Sequence, residues 1–221
     1  LLKLNLVKLK AVEYIYSAVF FYLYMKYYIN FFLFLSTVVI LYGCSTSNSK
    51  LFNRLLPSQT NINFNNRIIE TDDFNILTNE YIFNGGGVAV ADFNNDNLPD
   101  LFFTGNMVSN RIYINKGDLK FEDLTESSNL FSKGFWSTGV TIADVNGDSL
   151  PDIYVCGAMH EENRANKLYI HQGLDESGNP FFKEEAETYG VADQGNSMAA
   201  TFIDFDRDGD LDLYVLNNEQ N

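Results

Sequence analysis

Cysteine is almost missing from this chain, and basic residues are scarce. Cys44 and Cys156 are the two thiols among 221 residues. If Cys44 serves another purpose, no internal disulfide can form. Cys156 then sits as a small apolar residue in the run Asp152-Ile153-Tyr154-Val155-Cys156. Lysine and arginine total 15 against 29 acids, a formal net charge of −14. Residues 1–43 hold four of the bases and one of the acids, so the remainder carries 11 bases against 28 acids, a net of −17. Such a surface excludes nucleic acid, which is bound by replacing counterions with basic groups, and it disfavours docking on anionic lipid. Signs of catalysis are missing too. There is no Gly-x-Ser-x-Gly, and His160-Glu161-Glu162-Asn163 lacks the second histidine of a zinc-hydrolase motif. Gly85-Gly86-Gly87 leads into a strand pattern with no following Lys-Ser/Thr, so it reads as close backbone packing and not as a phosphate cradle. No amphipathic helix is legible over 84–221. Apolar material is plentiful, with 46% hydrophobic and 15% aromatic residues.

The apolar residues fall into two regimes. Residues 27–43, YYINFFLFLSTVVILYG, form an uncharged run after Met25-Lys26 and end at Leu41-Tyr42-Gly43-Cys44, followed by the polar Ser45-Thr46-Ser47-Asn48-Ser49. A short cationic start, an apolar stretch and small residues are the layout of an export signal. The boundary at Cys44 resembles that of bacterial lipoproteins, whose signal is cut before a cysteine that then receives lipid. The alternative is an uncleaved anchor, with a run near the short limit of about 17–25 residues for a span. Residues 1–24 precede Met25 and are expected to be a non-native upstream extension. The organisation expected is therefore 1–24 extension, 25–43 signal peptide, 44–60 polar linker and 61–221 body, with an edge or closing strand within 61–83.

The body repeats. Gly87–Phe103, Gly139–Val155 and Ala199–Val215 align without gaps, each centred on an acidic stretch. Similarity continues beyond it. Asn110-Arg111-Ile112-Tyr113-Ile114-Asn115-Lys116-Gly117 matches Asn166-Lys167-Leu168-Tyr169-Ile170-His171-Gln172-Gly173. Phe121-Glu122-Asp123-Leu124-Thr125 matches Phe182-Lys183-Glu184-Glu185-Ala186. Each unit reads as four short strands punctuated by Pro, Gly and Asn. Four strands per repeat of this period is the pattern of a β-propeller blade. His171, standing where the first unit has Asn115, reads as a surface strand end, and Trp136 as core or rim packing.

Numbered from the first aspartate, positions 1, 3, 5 and 9 carry side-chain oxygens in every unit: Asp92, Asn94, Asp96, Asp100; Asp144, Asn146, Asp148, Asp152; Asp204, Asp206, Asp208, Asp212. Position 7 offers a backbone carbonyl (Leu98, Leu150, Asp210). Hard oxygen donors alternating around a tight loop suit calcium, and the loops hold no Cys or His for zinc. An EF-hand would need Glu at position 12. That position is Phe103, Val155 and Val215, each inside a strand pattern.

These units resemble FG-GAP/VCBS repeats, the calcium-loop blades of integrin-type propellers. The start at Cys44 and the lead-in Tyr81–Gly87 are similar to surface lipoproteins that join such repeats to an ASPIC/UnbV domain. The resemblance implies an all-β partial propeller of about two and a half blades after a hydrophobic N-terminal helix, with about three Ca2+ sites. It implies glycine at position 6, present as Gly209 and replaced by Asn97 and Ser149. It further implies a non-catalytic scaffold at the outer membrane or cell surface, held by lipid on Cys44 and binding a glycan or protein. The alternative is the N-terminal part of a polysaccharide-processing enzyme whose active site lies outside these residues.

Overall fold

The computed structural model describes residues 19–35, 50–130, 132–159 and 163–218. The chain divides into two units, residues 1–53 and 54–221.

In the first unit, residues 19–35 are helical. The segment has no Pro or Gly and few β-branched residues, which permits a helix. Nearly all of its large apolar side chains are exposed, among them Phe20, Phe32 and Phe34. No helix among the described residues is long and apolar enough to cross a membrane. Cys44 and the whole of the expected signal boundary lie outside the described residues.

The second unit is built from antiparallel strands. Strands β1 (Val88–Ala91), β2 (Asp100–Phe103), β3 (Arg111–Asn115) and β4 (Phe121–Asp123) form one four-stranded meander. A second contains β5 (Ser137–Ala143), β6 (Asp152–Gly157), β7 (Lys167–Leu174) and β8 (Pro180–Glu184). Strands β9 (Ser197–Ile203) and β10 (Asp212–Asn217) pair as the beginning of a third sheet. This is the all-β, blade-wise architecture the repeat predicts. Each sheet is entered through the same hairpin, with Ala91 opposite Asp100, Ala143 opposite Asp152 and Ile203 opposite Asp212. Position 9 of every acidic loop is therefore the first residue of the second strand.

Blades hold together through their faces, because period-two alternation sends one set of side chains each way. Ala89, Phe102, Ile112 and Ile114 of the first blade meet Ile153, Val155 and Tyr169 of the second, with Val140 and Ile142 alongside. The other face of the second blade, with Tyr154, Cys156, Leu168 and Ile170, meets Ala200, Phe202, Leu213 and Val215. Burying each large side chain contributes about 1.5–3 kcal/mol. First strands of successive blades run so close that glycine is required between them. A Cβ on Gly139 would lie 2.7 Å from the Met198 carbonyl oxygen and 2.8 Å from Ala199 Cα. Threonine hydroxyls stitch the same level: Thr104 donates to the Thr138 carbonyl at 2.6 Å, and Thr138 donates to that of Ser197 at 2.5 Å.

Residues 61–83 hold no strand among the described residues, contrary to the expectation above. Burial alternates over 61–69 as in a strand, yet the backbone finds no ladder partner. Side chains tie it down instead. Asn66 and Asn106 exchange two hydrogen bonds of 2.6 and 2.9 Å, and Phe64 stacks on Phe103 with ring centroids 5.1 Å apart. The segment ends against a small core of Ile82, Trp136 and Ala158, onto which Phe74 and Met159 also pack. Trp136 is thus a core residue.

Candidate metal centres in the hairpin loops

Each acidic loop folds around its own first residues. In the first loop, Asp92 accepts hydrogen bonds from the N–H groups of Asp96 (3.0 Å) and Asn97 (2.7 Å). Asp96 accepts from the Leu98 N–H at 2.8 Å and from the Asn94 amide at 2.9 Å. The second loop repeats this: Asp144 accepts from Gly147, Asp148 and Ser149, and Asp148 from Leu150 and Asn146. These Asx-type bonds wind the chain tightly around positions 1, 3 and 5. Asp92, Asn94 and Asp96, and likewise Asp144, Asn146 and Asp148, are linked through these local bonds, whereas among the described residues the carboxylates of Asp92, Asp96 and Asp100, or of Asp144, Asp148 and Asp152, do not converge as a group.

The third loop is the most acidic and the most open. Carboxylate oxygens of Asp204, Asp206 and Asp208 lie within 4.8 Å of one another. Ligands held at about 2.3–2.6 Å from one calcium ion are at most about 5 Å apart, so this donor set fits. The Asp210 N–H donates to Asp208 at 3.1 Å and holds its carboxyl below the usual range. Asp210 is pushed upward by its side-chain contact with Asp208 and by the neighbouring negative charges.

Position 9 is a different kind of residue. Asp100 and Asp152 are fully buried. Asp100 accepts the Phe93 N–H at 2.8 Å and, from the third strand, the Asn115 N–H at 2.7 Å. Asp152 does the same with Val145 (2.9 Å) and His171 (2.8 Å). Burial pushes both carboxyls up, and these N–H donors partly offset that. Asp212 keeps the first half of the pattern, accepting from the Phe205 N–H at 2.9 Å. The ninth aspartate therefore anchors the loop to the sheet.

Two positions carry structure that ligand counting passes over. Position 4 is left-handed like position 6: Asn95 and Asn97, Gly147 and Ser149, Arg207 and Gly209 all have φ between 61° and 100°. Position 2 is apolar in every loop. Phe93 fills the interface between the first two blades, Val145 packs into the next interface, and Phe205 is 80% exposed beyond the third sheet. The recurring apolar residue between two acids was the signal for it. His171 is buried and not at a surface strand end. Its ring lies against Phe182, with centroids 4.7 Å apart.

Known proteins share this repeat, and residues 92–155, from the first loop through the second, match the FG-GAP-like repeat family. These residues are an FG-GAP-like repeat. The chain is 29% identical over 140 residues to Cartilage acidic protein 1 of Homo sapiens, covering 61% of this chain and 20% of that protein. It is 30% identical over 168 residues to the T-cell immunomodulatory protein homolog of Plasmodium yoelii yoelii, covering 69% and 23%. It is 26% identical over 147 residues to Integrin alpha-4 of Xenopus laevis, covering 59% and 14%. The chain spans about a fifth of the length of the curated relatives it matches. FG-GAP repeats are of the non-enzymatic, adhesion or binding-scaffold kind, and they often bind calcium. The Asp204, Asp206 and Asp208 cluster could hold a metal.

Proposed function

We propose that this chain is a calcium-stabilised, non-catalytic scaffold displayed at the cell surface, tethered by lipid on Cys44 and binding a glycan or protein. The observation that carries the calcium reading is the acidic hairpin loop found three times at one register, in which position 5 accepts the N–H of position 7 each time, with the carboxylates of positions 1, 3 and 5 converging in the third. Asp92, Asn94 and Asp96 would hold one ion, Asp144, Asn146 and Asp148 a second, and Asp204, Asp206 and Asp208 a third. The carbonyls of Leu98, Leu150 and Asp210 and the ninth aspartates would complete the shells. The bound ion neutralises carboxylates that otherwise repel at close range, and ion binding then adds to folding free energy. A protein with so acidic a surface is suited to a calcium-rich exterior. Calorimetric titration of the full chain with CaCl2 tests the ion reading. About three equivalents are expected to bind, and no heat beyond dilution would overturn it. Metabolic labelling with palmitate tests the tether: label lost on Cys44→Ser supports it, and an unlabelled wild-type chain rejects it.

A further inference from the structure

His171 links the first two acidic loops physically. Its backbone N–H donates to Asp152 in the second loop at 2.8 Å, and its ring Nε2 lies 2.8 Å from the Phe93 carbonyl oxygen in the first. Ring Nδ1 accepts the Gly173 N–H at 2.9 Å, which leaves Nε2 as the donor to Phe93. Phe93 is consequently gripped at both ends. Its N–H is held by Asp100 of its own blade and its carbonyl by His171 of the next.

The first blade shows what this histidine replaces. Asn115 occupies the same position, and its Oδ1 accepts the Gly117 N–H at 3.0 Å, as Nδ1 of His171 accepts that of Gly173. Its Nδ2, however, donates at 3.1 Å to Pro99, within its own blade. Histidine keeps the turn bond and carries the second donor across the interface to the neighbouring loop.

We propose that His171 is a positioning residue that couples cation binding in the first loop to cation binding in the second. The path is continuous: Asp92 and Asp100 flank Phe93, Phe93 bonds to His171, and His171 bonds to Asp152. An ion that fixes either loop fixes Phe93 or Asp152, and through His171 it lowers the ordering cost of the other. The inference rests on the calcium reading above.

The test uses the full chain in non-ionic detergent, with the third loop silenced by Asp206→Ala and Asp208→Ala. Calcium affinity of the second loop is measured by calorimetry with the first loop intact and with Asp96→Ala. Disabling the first loop is expected to weaken the second about fivefold or more, within the usual range of site-to-site coupling. His171→Asn, which installs the first blade's own residue, is expected to abolish that effect while the protein stays folded by circular dichroism. His171→Gln, whose longer amide can span the same gap, is expected to retain it. An equal effect in wild type and His171→Asn, or none in wild type, overturns the coupling. Failure of the wild-type loops to bind any calcium instead overturns the underlying calcium reading.

Discussion

Left-handed backbone at positions 4 and 6 costs little for glycine and about 1–2 kcal/mol for most other residues. Gly147 and Gly209 occupy two of these sites, but Ser149 (φ 68°) and Arg207 (φ 65°) occupy others. Asn95 and Asn97 tolerate the conformation better. Ser149→Gly is therefore expected to stabilise the protein by about 1 kcal/mol, less the extra freedom glycine gives the unfolded chain. A urea midpoint that falls would contradict this. Buried ionisable groups make a second prediction at this scale. Burial pushes the Cys156 thiol from 9.0 to about 12 and the Tyr154 phenol from 10.0 to about 12. Both folded values are raised, so their contribution to stability is complete below about pH 9 and is lost as pH rises toward 12. Melting temperature is expected to decline steadily above about pH 9, with Cys156 closed to thiol reagents until the protein unfolds. Early labelling in the folded state would contradict the burial.

At the scale of the hairpin, two acids four residues apart in one loop do separate jobs. Asp100 is buried and satisfies backbone N–H groups of Phe93 and Asn115. Asp96 is exposed and closes the loop locally. Removing Asp100 leaves buried donors unpaired, each costing about 1–3 kcal/mol. Asp100→Ala is thus expected to destabilise by about 2–5 kcal/mol with or without calcium. Asp96→Ala is expected to matter little in chelator and to remove much of the calcium-dependent gain. Equal losses in both conditions for both variants would merge the two roles. Much of the hairpin was legible beforehand. Alternating oxygens and apolar residues at position 12 gave β2, β6 and β10 their places. Positions 2 and 4 were harder, because ligand spacing says nothing about the residues between ligands. The burial of His171 was hidden for a related reason: one blade's sequence cannot show that the loop of the preceding blade covers this position.

On the scale of the whole molecule, blades repeat an interface as well as a sheet. Each presents one face backward and another forward, and Gly87 and Gly139 let first strands approach. That repetition was visible in the sequence through its third and fourth strands. The segment at 61–83 was not, since its alternating burial mimics a strand while its Asn66 side chain, and not a backbone ladder, ties it to Asn106. The wound loops sit at the same corner of every sheet, so ions bound there would brace all the hairpins together. At a free calcium concentration about 100 times the dissociation constant, each site would add about 2.7 kcal/mol. Thermal unfolding of the full chain in millimolar calcium and in excess EDTA tests this most directly. The account predicts a melting temperature higher in calcium by several degrees or more, with magnesium giving much less. Superimposable unfolding curves in calcium and EDTA would contradict it.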